Sequence, residues 1–293
     1  MFVACIGSGD VHTYFKEYAR SQEIKVINIS SQRSADYRIS RNLDYLDTIK
    51  LPNKTTSCVI FWCFRYISNM NCLNNYLNSL KKLEKFIEKN PFIHYIFIST
   101  ALAPSPRLRS KSGYVLSKYL TELKLLSLCN DQNISLDIIR PALIYGHANC
   151  PIKKIALLRR FRFKLIIGSQ NSIFAVTSIK DLNKAFLLSL KRHNSTVSET
   201  KKLQRIIHLN EIYRINFEYI HAELDKYFGK PLISLELRNS IITSFLYRLI
   251  TGKSVDFSLA SANRYPERIS TEEDTTNTNI DCFDNVYDYI GTL

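Results

Sequence analysis

Apolar residues in the first half of the chain fall into short continuous runs separated by stretches of helical period. Phe2 to Ile6 is such a run and reads as a strand. It is followed by Gly7-Ser8-Gly9 and an amphipathic helix through Arg20. Lys25 to Ile29 reads as a second strand, residues 33–56 as polar and irregular with room for a short strand, and Ser57 to Phe64 as a β-branched and aromatic strand. From Asn71 to Asn90 the apolar positions Leu73, Leu77, Leu80, Leu83 and Ile87 fall near helical spacing. Ile93 to Ser99 is a strand, Tyr114 to Leu128 a helix, and Ile134 to Arg140 a strand that stops at Pro141.

Strands separated by helices require crossover connections, and these give a parallel sheet covered on both faces. The glycine-containing turn after the first strand makes this a doubly wound α/β layout, a Rossmann sheet. Beyond residue 150 the pattern loosens to a basic helix or loop at 153–164, helices at 180–191, Phe217 to Phe228 and 238–250, and a strand at Arg205 to Leu209. The reading is a nucleotide-binding sheet in residues 1–150, completed by elements from about 175–210. A smaller, interleaved substrate-binding part takes 151–174 and 211–293.

With 293 residues the chain can bury a large core. Its net charge of +14 is uneven: the last 25 residues hold six acids and no Lys or Arg, leaving +20 on the remainder. Such a body favours anionic ligands, whether nucleotides, sugar diphosphates, nucleic acid or an acidic membrane surface. The seven cysteines show no paired framework, so they read as buried thiols of a reducing compartment and no metal site is expected. Without a basic leader or an apolar run of about 20 residues, the expectation is a cytoplasmic protein with no transmembrane segment. In the acidic tail, Phe283, Val286, Tyr287 and Ile290 form one helical stripe, read as a docked helix.

Three motifs carry chemistry. Gly7 and Gly9 let the backbone turn tightly and approach a pyrophosphate at a helix N-terminus, although a short glycine turn after a strand is common. Tyr114 and Lys118 stand four apart, on one face of a helix. The ammonium favours the phenolate and suits the phenol to proton transfer; the plain alternative is an exposed helix with a half-buried tyrosine. Ser99-Thr100 ends a strand fourteen residues upstream of Tyr114, where a hydroxyl can face a ligand crevice or simply cap a turn.

The block from Phe97 to Gly146 resembles the heart of the extended short-chain dehydrogenase/reductase family of NAD(P)-dependent sugar-nucleotide epimerases, dehydratases and reductases. The Ser-Thr strand end, the Tyr-x-x-x-Lys helix, Glu122 and the Arg140-Pro141 to Tyr145-Gly146 exit stand in family order. Val176 to Leu182 resembles a later strand-to-helix junction carrying Asp181, so the likeness in order spans residues 2–210. The resemblance implies Thr100 as catalytic hydroxyl with Ser99 beside the substrate, Tyr114 as acid/base, and Lys118 orienting both the cofactor ribose and the tyrosine. Gly7, Gly9, Ser30 and Arg33 would hold the cofactor.

Two departures stand out: His12 replaces the third loop glycine, and Cys63-Phe64-Arg65-Tyr66 replaces a small-residue turn. Ala101 and Leu102 follow the hydroxyl pair, so the acids of dehydratases, the Glu of decarboxylating members and the Cys of epimerase-reductases are absent there. Reduction, oxidation or 4-epimerisation of a nucleotide sugar remains. The segment after the second strand has no acid, and Arg33 could pair with a 2′-phosphate or face solvent; NADP is favoured over NAD. In Arg159-Arg160-Phe161-Arg162-Phe163-Lys164, an extended backbone would put cations and rings on opposite faces. Arg160 and Arg162 would then bind the sugar nucleotide, the rival being a solvated basic face. A catalytically idle dinucleotide-binding or basic anion-binding protein is the competing class. No nucleic acid partner is expected, for want of a recognition signature, and a homodimer is left open.

Overall fold

A computed structural model of the protein describes residues 1–237 apart from breaks at 41–42, 53–54, 62–69, 92–93, 111, 148–149, 168–172, 197–203 and 210–214. The expected helix at 238–250, the acidic tail and the Cys63 to Tyr66 departure lie outside the described residues. The described residues divide into two compact units, one of Met1–Pro141 with Leu182–Leu209 and one of Ala142–Asp181 with residues 215–237.

The first unit is built on β1 (Phe2–Ile6), β2 (Lys25–Ser30), β3 (Tyr37–Arg38), β4 (Thr55–Ile60), β5 (His94–Ile98) and β6 (Leu136–Pro141). Its helices are α1 (Asp10–Ser21), α2 (Met70–Lys89), the short α3 (Pro106–Arg109) and α4 (Gly113–Asp131). In the second unit the chain forms β7 (Leu143–Tyr145), α5 (Pro151–Arg160), β8 (Phe163–Ile167), β9 (Ile173–Phe174) and β10 (Val176–Ser178). Then come α6 (Ile179–Thr196) and β11 (Gln204–Leu209), which return to the first unit, and β12 (Ile215–Asn216), α7 (Phe217–Phe228) and β13 (Ile233–Leu237).

Seven strands form one sheet in the order β11-β6-β5-β4-β1-β2-β3, with every pairing parallel. This is the doubly wound Rossmann sheet expected from the sequence. The described positions of β1, β4, β5 and β6 are almost wholly buried, as a sheet covered on both faces demands. Ile6, Ile60, Phe97 and Ile138 pack with Leu80, Leu83 and Ile87 of α2 and with Leu125 and Leu128 of α4. Cys5, Cys58 and Cys129 are buried thiols, and burial pushes Cys129 up to about 12, which makes it unreactive. Strand order reverses between β1 and β4, so ligands are expected at the carboxyl ends of these strands.

A polar string crosses this core. Ser57 Oγ lies 3.4 Å from His94 Nδ1, His94 Nε2 lies 3.3 Å from Asp137 Oδ2, and Arg205 donates to both Asp137 oxygens at 2.8 and 2.5 Å. Burial alone would raise the Asp137 pKa, but hydrogen bonds and charge from His94 and Arg205 outweigh it and hold the carboxyl below its ordinary range. Each link joins neighbouring strands, so the string favours one order of β4, β5, β6 and β11.

Among its described residues the second unit holds three strand pairs, β7 with β10, β8 with β13, and β9 with β12. Ile152, Ile155 and Ala156 of α5 pack with Tyr145, Val176, Ile220 and Leu224. Arg159 is fully buried; its Nη2 donates to the Asp225 carboxylate and, at 2.7 Å, to Gly229 O. Gly146 sits at φ +87°, and a Cβ there would come 2.8 Å from Ile179 Cγ2, which explains the glycine of the Tyr-Gly exit. Among the described residues no helix is long and apolar enough to cross a membrane.

Candidate active site

The turn after β1 takes the shape its glycines allow. Gly7 and Gly9 both have positive φ, at +106° and +145°. Gly7 N donates to Ile29 O at 2.9 Å, tying the turn to the carboxyl end of β2. Gly9 is the N-cap of α1 and supplies no side-chain cap, and a Cβ on it would meet nothing within 4 Å. The space before the helix N-terminus is therefore open. These residues fit a dinucleotide pyrophosphate, which would be held by main-chain N–H groups and the positive end of the helix.

Two side chains bear on that fit. His12 is buried and packs edge-on against Phe61 at 5.4 Å, within an aromatic group completed by Phe15 and Phe186. Its imidazole thus faces protein, and burial with help from Lys16 lowers its pKa to about 4, so it is neutral. Asp10, which the sequence reading did not single out, opens α1. Its charge stabilises the helix end that a phosphate would use.

At the end of β2, Ser30 is buried, and its Oγ accepts from Gln32 N at 3.3 Å. Arg33 is exposed. Asp36 returns to this strand, its Oδ2 accepting from Asn28 N at 2.7 Å. Eight residues separate the two, a return that local sequence does not signal.

The candidate reacting residues lie on the end of β5 and on α4. Ser99 N donates to Ile139 O at 2.8 Å and Ala101 N to Pro141 O at 2.9 Å, so the chain stays tied to β6 as it leaves β5. Ser99 is 2 % exposed, and its Oγ has no hydrogen-bond partner among the described residues. Thr100 is 7 % exposed, and its Oγ1 accepts from Leu102 N at 3.4 Å, which leaves its proton for donation elsewhere. Ser112 caps α4 by accepting from Val115 N. It starts the helix so that Tyr114 stands half-buried in the first turn and Lys118 one turn on. Lys118 Nζ donates to Ile98 O at 2.5 Å and lies 4.9 Å from the centre of the Phe97 ring.

Two further contacts hold α4. Tyr76 of α2 donates its hydroxyl to Ser117 O at 2.6 Å. Arg140 donates to both oxygens of Glu122 at 2.9 and 2.7 Å, joining α4 to the end of β6. In the sequence Glu122 and Arg140 stand out by their order alone; that they form one forked ion pair is a tertiary fact.

The basic run after α5 is not extended. Arg159 and Arg160 end the helix, Phe161 and Arg162 form a turn with Arg162 at φ +61°, and only from Phe163 does a strand begin. Cations and rings therefore do not alternate across one ribbon. Arg160 is exposed, and Arg162 Nη1 donates to Phe228 O at 2.9 Å.

The seven-stranded parallel sheet covered by helices, with Ser99-Thr100 following β5 and with Tyr114 and Lys118 on α4, is a doubly wound Rossmann fold. Solved structures of that kind superpose over most of its length. A Thermus thermophilus UDP-glucose 4-epimerase in complex with NAD shares 12% identity over 90% of this chain and 98% of its own, with a TM-score of 0.63. A Bacillus cereus UDP-N-acetylglucosamine 4-epimerase shares 14% identity over 90% of this chain and 98% of its own, at 0.63. A human epimerase family protein with NADPH, SDR39U1, shares 15% over 90% of this chain and 94% of its own, again at 0.63. No family model and no curated protein matches the sequence.

Proposed function

We propose that the protein is an NAD(P)-dependent oxidoreductase or epimerase acting on a nucleotide-linked sugar, with Tyr114 as acid/base. The observation that carries this is the Lys118 to Ile98 O bond, which ties the Tyr114–Lys118 face of α4 to the strand end bearing Ser99 and Thr100. In this reading the Thr100 hydroxyl donates to the substrate oxygen. Tyr114 gives a proton to that oxygen in reduction and takes it in oxidation, and Lys118 orients the tyrosine and the cofactor ribose. The dinucleotide, held by Gly7 and Gly9, supplies or accepts the hydride when bound. Structures of the same fold named for NAD, NADPH and UDP-glucose support the choice of cofactor and substrate class.

A second reading is a dinucleotide-binding protein without turnover. Titration with NADPH and NADH, followed by a panel of UDP- and dTDP-linked sugars, tests both. Net oxidation of NADPH marks a reductase, interconversion of sugars without net oxidation marks an epimerase, and binding without either marks the second reading. Tyr114→Phe should lower turnover by about 10² or more while leaving the fold and cofactor affinity intact. Unchanged turnover in that variant would remove the assignment.

A further inference from the structure

We propose that the second unit docks on anionic membrane surfaces through the turn joining α5 to β8 and the adjoining start of β13. Four bulky apolar side chains stand in the open there: Phe161 is 77% exposed, Leu232 78%, Ile233 55% and Leu157 53%. Leu157 and Phe161 stand one helical turn apart. Leu232 N and Ile233 N both donate to Arg162 O, at 2.9 and 3.3 Å, which brings β13 against the residue that follows Phe161. The four residues therefore lie near the Arg162 main chain. Elsewhere among the described residues the exposed Leu and Ile side chains are less open, with Leu77 at 41%, Leu123 at 46%, Leu188 at 39% and Ile206 at 37%, and Arg159 is closed off by Asp225 and Gly229.

Cations lie in the same segments. Arg160, Lys153 and Lys230 are exposed, and Arg162 reaches to Phe228 O. The nearest acids of α7 are engaged, Asp225 by Arg159 and Glu223 by Lys226 at 2.7 Å. The body carrying these cations has a net charge of +20. Apolar side chains projecting among Lys and Arg match an interface of acyl chains beneath anionic headgroups. A rigid protein partner would need hollows shaped to receive side chains exposed by more than three quarters. A fluid surface does not.

The test is co-sedimentation of the full chain with vesicles of phosphatidylcholine and phosphatidylserine, against vesicles of phosphatidylcholine alone. Pelleting is expected with the anionic vesicles only, and it should weaken as salt is raised. The double substitution Phe161→Ser with Leu232→Ser should weaken binding by about tenfold or more. Lys230→Glu should weaken it as well. All three positions are exposed, and unchanged thermal melting of the variants keeps folding out of the comparison. Failure to pellet with anionic vesicles overturns the proposal. So does wild-type binding by the double variant, which would mark adsorption by net charge alone. Binding that appears only after deletion of residues 280–293 also overturns it, because the acidic segment of this chain would then be the occupant of the patch.

Discussion

Lys118 Nζ donates to Ile98 O at 2.5 Å, across twenty residues of chain. Ile98 ends β5, and the next two residues are the hydroxyl pair. The lysine is 4% exposed, so the bond lies where little water competes with it. A buried charge-assisted hydrogen bond of this kind holds its geometry well. The register between α4 and β5, on which the proposed chemistry rests, is thus set by the same lysine that the motif assigns to catalysis.

The two hydroxyls are expected to behave differently. Ser99 Oγ is sealed from solvent without a partner, so Ser99→Ala removes an unsatisfied group and should leave both turnover and stability within about 0.5 kcal/mol. Thr100→Val, which keeps the shape and removes the donor, should lower turnover by about 10². Equal losses in the two variants, measured on the same sugar substrate, would exclude Thr100 as the specific donor.

Cofactor affinity should respond to the charge at α1. Asp10→Asn removes a negative charge beside the open phosphate loop and is expected to tighten NADPH binding about threefold or more, at a cost near 0.5 kcal/mol in helix stability. Arg33, exposed beyond β2, should favour NADPH over NADH, and Arg33→Glu should reverse the order. Calorimetric titration reads both; an unchanged NADPH affinity in the Asp10 variant would mean that the phosphates bind elsewhere.

The Arg140–Glu122 pair, with side chains 12% and 2% exposed, should be costly to break. Glu122→Ala leaves the guanidinium without its partner in a poorly solvated place and is expected to lower stability by about 3 kcal/mol. Urea unfolding measures it. A loss below about 1 kcal/mol would show the pair to be well solvated in solution.

Acid should weaken the fold before its carboxylates protonate. Burial lowers both His12 and His221 from 6.5 to about 4. A histidine with a depressed folded pKa contributes fully above the unfolded value of 6.5, and the contribution is lost as pH falls towards 4. Each should cost on the order of 2–3 kcal/mol across that window. Asp137, whose pKa is lowered from an already acidic value, adds its loss only below this range. Urea unfolding at several pH values should therefore show stability falling from neutrality downward, with a shallower slope in His12→Leu. A flat profile above pH 4 would contradict neutral burial of these rings.

Runs such as Phe2 to Ile6 and His94 to Ile98 are apolar on both faces, and a chain that buries them has few choices besides a covered parallel sheet. The helix over Phe217 to Phe228 and the Tyr114–Lys118 face were legible for a similar reason, because local period and spacing already place side chains on one side. What no local pattern carried was the company these groups keep. Asp36 returns to Asn28, Glu122 meets Arg140, and His94 joins Asp137 and Arg205, each across a crossover whose path depends on the packing of the whole sheet. The basic run reads as an alternating ribbon only if extended, yet helix propensity and the burial of Arg159 end it as a helix and a turn. The sequence by itself determined the layout of the sheet and the residues offered for chemistry. The tertiary structure alone decided which hydroxyl is sealed, which cations are engaged, and which apolar side chains remain in the open, because burial and pairing are properties of contacts between segments distant along the chain.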